Sequence, residues 1–146
     1  MSAVVSKAKA VWRGDLFHGE GEVSFDSGAF PTRQVTWAAR SSKVAGMTSP
    51  EELLAAAHAS CFAMALSNIL AKEGKPASHL EVSAEAYFAK TDEGFRVTQV
   101  NINVVGNVPG MDKEAFEKAA SAAGEGCPIS KALKGNVKIN VSAKLA

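Results

Sequence analysis

Two cysteines, Cys61 and Cys127, are the residues in this 146-residue chain best suited to covalent chemistry. Cys61 lies inside 48-TSPEELLAAAHASCFAMALSNIL-70, an almost unbroken apolar run. A thiol acts as a nucleophile only as the thiolate, and apolar surroundings oppose that charge. Cys61 therefore needs a nearby cation, or it is simply a small core hydrophobe. No Lys or Arg lies between Glu51 and Ala71, so the cation comes from elsewhere in the fold or from another chain. Arg40, just before the loop that leads into this run, is the natural candidate, and Glu51 can clamp its guanidinium. The plain alternatives are a solvated loop arginine and a first-turn acid favoured by the helix dipole.

Cys127 precedes Pro128 at an expected helix start, where unpaired backbone N–H groups favour a thiolate. That suits a resolving or leaving thiol, and an ordinary buried capping cysteine suits it equally. His58, one turn before Cys61, is either a base for the thiol or, as the preferred reading, a packed core histidine with one hydrogen bond. The 66-residue cysteine spacing excludes a CxxC redox motif, and two Cys with scattered His make a poor zinc site.

Glu51 and Cys61 stand ten residues apart in one expected helix. That is ~15 Å along the axis and a different face. Within one straight helix they cannot serve one active site. If they act together, a second copy must run past the first in the opposite sense, so a homodimer with shared sites is expected.

The elements that must position these groups read as follows. Residues 4–12 alternate as a strand, a Gly-rich turn follows, and Val23 and Phe25 mark a second short strand. Residues 33–40, RQVTWAAR, read as a third strand ending at Arg40, and 41–47 as a loop. Thr48 or Ser49 can cap the first helix, with Pro50, Glu51 and Glu52 in its opening turn, and Gly74 stops it just past Lys72. A long hairpin takes 80–90 and 95–106. An amphipathic helix spans 112–123 and is interrupted by GEG. Cys127 caps a short helix from Pro128 to about Lys134, and 137–143 closes as a strand. The order is α+β, with a mostly antiparallel sheet and a central buried helix.

Composition narrows the class. Apolar residues at 47% and charged residues at 21% describe one globular domain, 1–146. The 16 basic residues form no stripe with interleaved aromatics, so nucleic-acid binding is not expected. The start, MSAVVSKAKAVW, lacks a signal peptide's apolar core, and the 53–70 run carries His58, Ser60, Ser67 and Asn68. A cytoplasmic protein with a buried helix and no membrane span is expected.

The pairing of TSPEELLAAAHASCFAMAL with 126-GCPISKAL-133 resembles the OsmC/Ohr family of thiol-dependent peroxidases, in its OsmC-type (osmotically inducible protein C) branch. AVWRGDLFHGEGEVSFDSG and VPGMD extend the resemblance over nearly the whole chain. It implies that Cys61 is the peroxidatic cysteine, Cys127 the resolving one, and Glu51 the carboxylate holding a catalytic arginine. Arg40 matches that arginine, with Arg33 as a competitor, and His58 marks the branch. The resemblance also implies an intertwined homodimer with interface sites, and a lipoyl-type dithiol reductant.

On this reading Cys61 becomes a sulfenic acid and Cys127 closes on it as a disulfide, with no metal or organic cofactor. Leu54, Phe62, Met64, Met47 and Phe30 are expected to offer an apolar pocket, which favours organic hydroperoxides over hydrogen peroxide. Two other classes remain open. One is a carrier of an apolar ligand with Cys61 as inert core. The other is a redox sensor whose disulfide alters a partner contact.

Overall fold

The computed structural model describes residues 1–146, which divide into two compact units, Met1–Pro50 and Glu51–Ala146. In the first unit β1 (Ala8–Arg13), β2 (Glu20–Phe25) and β3 (Arg33–Val35) form an antiparallel sheet in that order. Phe17 meets Trp37 edge to face at 5.9 Å, and Phe25 packs on Phe30.

The third strand stops five residues short of its expected end. Thr36 takes extended geometry and its hydroxyl accepts the N–H of Ala39, capping a helix, α1 (Trp37–Ser42). Trp37-Ala38-Ala39-Arg40 does not alternate, and the cap turns it helical where the strand reading relied on Val35 and Trp37 alone. Arg40 thus sits in the last turn of a helix rather than at a strand end.

The second unit opens with α2 (Pro50–Lys72) and continues with β4 (His79–Thr91), β5 (Gly94–Asn107), α3 (Lys113–Gly126), α4 (Pro128–Leu133) and β6 (Lys138–Leu145). β4 and β5 form the expected long hairpin, with a bulge at Tyr87/Phe88. The expectation of a single mostly antiparallel sheet is met in part. The strands make two separate sheets, and β6 lies parallel to β5. A parallel neighbour needs a crossover connection, and α3 with α4 supplies it.

α3 runs three residues further than expected, through Gly124-Glu125-Gly126. The reason is packing: a Cβ on Gly124 would come within 2.7 Å of Val141 Cγ2, so only glycine lets α3 lie this close on β6. Gly106 does the same under the Phe116 ring. Asp112 caps α3 by accepting from Ala115 N–H.

The core belongs to the second unit. Phe62, Leu66 and Leu70 of α2 join Val100, Ile102 and Val104 of β5 and Phe116, Ala119, Ala120 and Ala123 of α3. α2 is long and apolar enough to cross a membrane by length and composition, yet this strip of it is core. The expectation of a buried helix holds for that strip alone: Glu51, His58, Phe62, Leu66 and Leu70 are buried, whereas Ala56, Ala57, Ser60 and Met64 are exposed.

Candidate active site

The fold brings the two thiols together. Cys61, midway along α2, and Cys127, between α3 and α4, are both free, with their sulfurs 2.7 Å apart. Local structure fixes each. Cys61 is half-buried and flanks the buried strip of α2 that carries His58 and Phe62. Cys127 closes α3 by donating its N–H to Ala123 O at 2.9 Å, and starts α4 by accepting Lys131 N–H at 3.0 Å. Pro128, with no N–H to lose, opens the new helix. One residue thus ends one helix and caps the next, as its place before Pro128 predicts.

The two sulfurs have different surroundings. Burial pushes the Cys61 thiol up, the bond it shares with Cys127 pushes it further, and a single opposing donor is the Ile129 N–H. Burial also works to raise Cys127. It is outweighed by the polar groups around the sulfur, first the Cys61 thiol, then the N–H and hydroxyl of Ser130 and the N–H of Ile129, which hold this thiol below its usual value. The Cys61 thiol first, and the first turn of α4 after it, make Cys127 the more acidic partner. Cys61 is half-buried and Cys127 fully buried, so Cys61 is the thiol more open to a small reactant.

His58 is fully buried, and its Nε2 lies 2.7 Å from Ser130 Oγ. This is the packed core histidine with one hydrogen bond that the preferred reading expects. Burial holds its imidazole below the ordinary pKa, so it is neutral near pH 7. Ser130, 2% exposed, is the residue that sequence reasoning missed. Its signal was available: a hydroxyl three residues after Cys127, in the first turn of the helix Cys127 caps.

Glu51 opens α2 and is buried at 7% exposure. Because α2 is continuous from Pro50 to Lys72, Glu51 and Cys61 remain ~15 Å apart along its axis. Arg40 belongs to α1 in the first unit, and Arg33 to β3, where it lines a cleft with Arg13, Glu20 and Glu22. Of the expected pocket residues, Phe62 is fully buried and belongs to the core, so it cannot line an open pocket. Its place on the strip that meets β5 and α3 overrides the expectation drawn from its nearness to Cys61. Met64 and Phe30 are exposed. A cleft of about 700 Å³ between α3, α4 and β6 touches Ser130 and Gly124 but neither thiol. No group of three or more His, Cys, Asp or Glu gathers to hold a metal.

Comparison with known proteins gives a consistent result. A family model described as OsmC-like protein matches residues 43–142. The chain is 36% identical to peroxiredoxin OsmC of Escherichia coli over 94% of its length and 96% of that protein's. It is 35% identical to the organic hydroperoxide resistance protein OhrB of Bacillus subtilis over 66% of the chain and 70% of that protein. The crystal structure of OhrB superposes with a TM-score of 0.72 over 94% of this chain and 98% of that one, at 27% identity.

Proposed function

The chain belongs to the OsmC-like family, and from that premise we propose that it is a cysteine-based peroxidase that reduces organic hydroperoxides to alcohols and protects against oxidative stress. The observation that carries the proposal is the approach of the two free sulfurs to 2.7 Å, one half-buried and one fully buried. The relatives named peroxiredoxin and organic hydroperoxide resistance protein set the reaction class.

In this mechanism the Cys61 thiolate attacks the outer peroxide oxygen. The O–O bond breaks, the alkoxide leaves as alcohol with a proton, and Cys61 becomes a sulfenic acid. Cys127 then attacks the Cys61 sulfur. The S–O bond breaks, water leaves, and a Cys61–Cys127 disulfide remains. An external dithiol, of lipoyl type by family resemblance, returns both thiols. No metal or organic cofactor takes part.

The Cys61 surroundings oppose its ionisation, so the mechanism needs a cation. We assign Arg40, oriented by Glu51, to that role. The helical separation of Glu51 from Cys61 supports supply of the pair by a second copy, in a homodimer with its sites at the interface. The exposed strip Ala56, Ala57, Ser60 and Met64 on α2 supports the same reading: it carries no charge, three of its side chains are small, and Met64 is apolar, which suits close docking of another helix. The match to the E. coli protein over 94% of the chain supports reading both units as one functional domain. A cytoplasmic setting suits a thiol pair that a dithiol must keep reduced.

The test is the intact mass of the reduced protein before and after one equivalent of tert-butyl hydroperoxide, with Cys127→Ser alongside. The expected result is loss of two hydrogens in the parent and gain of one oxygen in the variant. No change in either over minutes overturns the proposal and returns Cys61 to inert core.

A further inference from the structure

The mechanism above leaves His58 and Ser130 without a task, yet both are among the few buried polar side chains in the chain. α4 is six residues long, and Ser130 is its one buried residue. An apolar side chain would fill that place without a partner, whereas a buried hydroxyl needs one. The partner is His58 of α2, whose Nε2 lies 2.7 Å from Ser130 Oγ. His58 Nδ1 is buried and has no partner. A proton on Nδ1 would be an unpaired N–H in the core, which is costly and rare. The imidazole proton therefore sits on Nε2, and His58 donates to the serine oxygen.

This bond stands beside the thiol pair. His58 precedes Cys61 by three residues, and Ser130 follows Cys127 by three. Residues three apart on a helix are neighbours on one side, about 4.5 Å apart along the axis. α2 and the start of α4 are thus joined at two points about one turn apart, sulfur to sulfur at 2.7 Å and imidazole to hydroxyl at 2.7 Å. One point of contact fixes a distance and leaves rotation free. Two fix the orientation. The joint before Cys127 has use for such a tie. A Cβ on Gly126 would meet nothing, so packing does not demand glycine there, and its backbone freedom loosens the end of α3.

We propose that the His58–Ser130 hydrogen bond is a clasp that holds the first turn of α4 on α2 and keeps Cys127 within reach of Cys61 while both thiols are reduced, with His58 and Ser130 as positioning residues for closure of the disulfide. The clasp acts on where Cys127 stands, through the backbone of α4. Its consequence for closure rests on the peroxidase reading of the thiol pair; the clasp itself does not.

In closure a Cys127 lone pair forms the S–S bond as the Cys61 S–O bond breaks. Hydroxide leaves and departs as water with the proton that Cys127 gives up. The Cys127 sulfur is oxidised and the sulfenic sulfur is reduced. The rate of such a step follows the local concentration of Cys127 at the Cys61 sulfur. In the reduced protein both cysteines are free, so nothing covalent holds α4 to α2 and the clasp sets that concentration. Once the disulfide has formed, the S–S bond itself holds α4. The clasp therefore matters in one redox state and not in the other, whereas ordinary packing serves both alike.

Two measurements test the clasp, and neither needs peroxide. The first is amide hydrogen exchange at Lys131 and Lys134, whose N–H groups bond to Cys127 O and Ser130 O, in the reduced and the diamide-oxidised protein. Ser130→Ala is expected to speed exchange about three- to tenfold in the reduced protein, the range one net hydrogen bond accounts for. In the oxidised protein it is expected to change exchange little. The second is the equilibrium of the thiol pair against reduced and oxidised glutathione, which gives the effective concentration of one thiol at the other. Ser130→Ala is expected to lower it by the same factor. Ser130→Thr, which keeps the hydroxyl, and His58→Gln, which keeps a donor, are expected to lower it less than Ser130→Ala and His58→Phe do. After one equivalent of tert-butyl hydroperoxide, Ser130→Ala should close its disulfide more slowly while Cys61 oxidises at the parental rate. Unchanged exchange in a folded, reduced Ser130→Ala protein overturns the proposal. So does exchange speeded equally in both redox states, or equal loss in Ser130→Thr and Ser130→Ala, either of which assigns Ser130 to packing. A parent that peroxide never oxidises fails the peroxidase reading alone, because exchange and the glutathione equilibrium still report on the clasp.

Discussion

Cys61 and Cys127 touch, yet the chain builds opposite surroundings for them. Cys127 lies where one helix ends and another begins, and the Cys61 thiol together with the first turn of α4 lowers its thiol against burial. Cys61 lies mid-helix, where every backbone N–H of its own helix is already committed, and only the Ile129 N–H from α4 reaches it. A helix start can lower a thiol's pKa without any charged residue, but a helix interior cannot. On the proposed mechanism the resolving thiol is thus made the more acidic of the two by its surroundings within its own unit. On the same mechanism, Cys61, the thiol proposed to meet peroxide, must import its activation.

The sharpest way to break this comparison is Cys61→Ser. Peroxide consumption is expected to vanish, because Cys127 is acidic but fully buried. An assay of tert-butyl hydroperoxide loss checks it. Residual turnover carried by Cys127 would invert the roles, with acidity outweighing access.

The next largest effect falls on the imported cation. Arg40→Ala is expected to slow the first oxidation of Cys61 by about 10²- to 10³-fold, the usual cost of removing one preorganised donor from developing charge. Arg40→Lys recovers part of it, since a point charge replaces a planar fork. Stopped-flow oxidation with one equivalent of peroxide measures both. Arg33→Ala, run alongside, is expected to change little. If Arg33→Ala produces the loss instead, β3 and not α1 supplies the cation.

How much of this was legible from sequence follows the range of the interactions. Cys127 as a cap was readable because Pro128 announces a helix start next to it, and Thr91–Gly94 announced the hairpin turn for the same reason. Gly74, with φ of +75°, stopped α2 where expected. The helix at Arg40 was misread because its signal, Thr36 as a cap, competed with two apolar residues at strand spacing. The run of α3 through Gly124 was unreadable because its cause is Val141 on β6, seventeen positions on in sequence but touching in space. Phe62 was placed in a pocket because nearness in sequence to Cys61 says nothing about which face of α2 meets the sheet. The meeting of Cys61 and Cys127 was implied only by family resemblance, since no local pattern spans 66 residues.

The α3–β6 seam lets the comparison be probed through stability. Gly124→Ala adds a Cβ 2.7 Å from Val141 Cγ2, and overpacking of this kind costs about 1–3 kcal/mol. Chemical denaturation measures it, and Val141→Ala in the same chain is expected to return most of the loss. Because α3 ends at Cys127, whereas α2 meets this site only at ordinary contact distance, with Phe62 3.9 Å from the added Cβ, the variant is expected to disturb disulfide closure more than the first oxidation. Equal disturbance of both steps would mean that the thiols share one rigid frame.

The smallest effect concerns His58, which is buried on α2 and joined to Ser130 of α4. Burial lowers its folded pKa below that of the unfolded chain, where an ordinary histidine titrates near ~6.5. At a pH between the two values the unfolded state binds the extra proton, so stability rises with pH through this window. The contribution is fully present above about pH 6.5 and is lost as the pH falls through the lower folded value. Thermal unfolding from about pH 7.5 to about pH 5.5 should therefore show a falling Tm in the parent. His58→Gln cannot titrate and should flatten that part of the slope while keeping a donor for Ser130. An unchanged slope in His58→Gln would mean that the buried imidazole accepts its second proton in the folded state. Nδ1, which has no partner in the core, would then have found one.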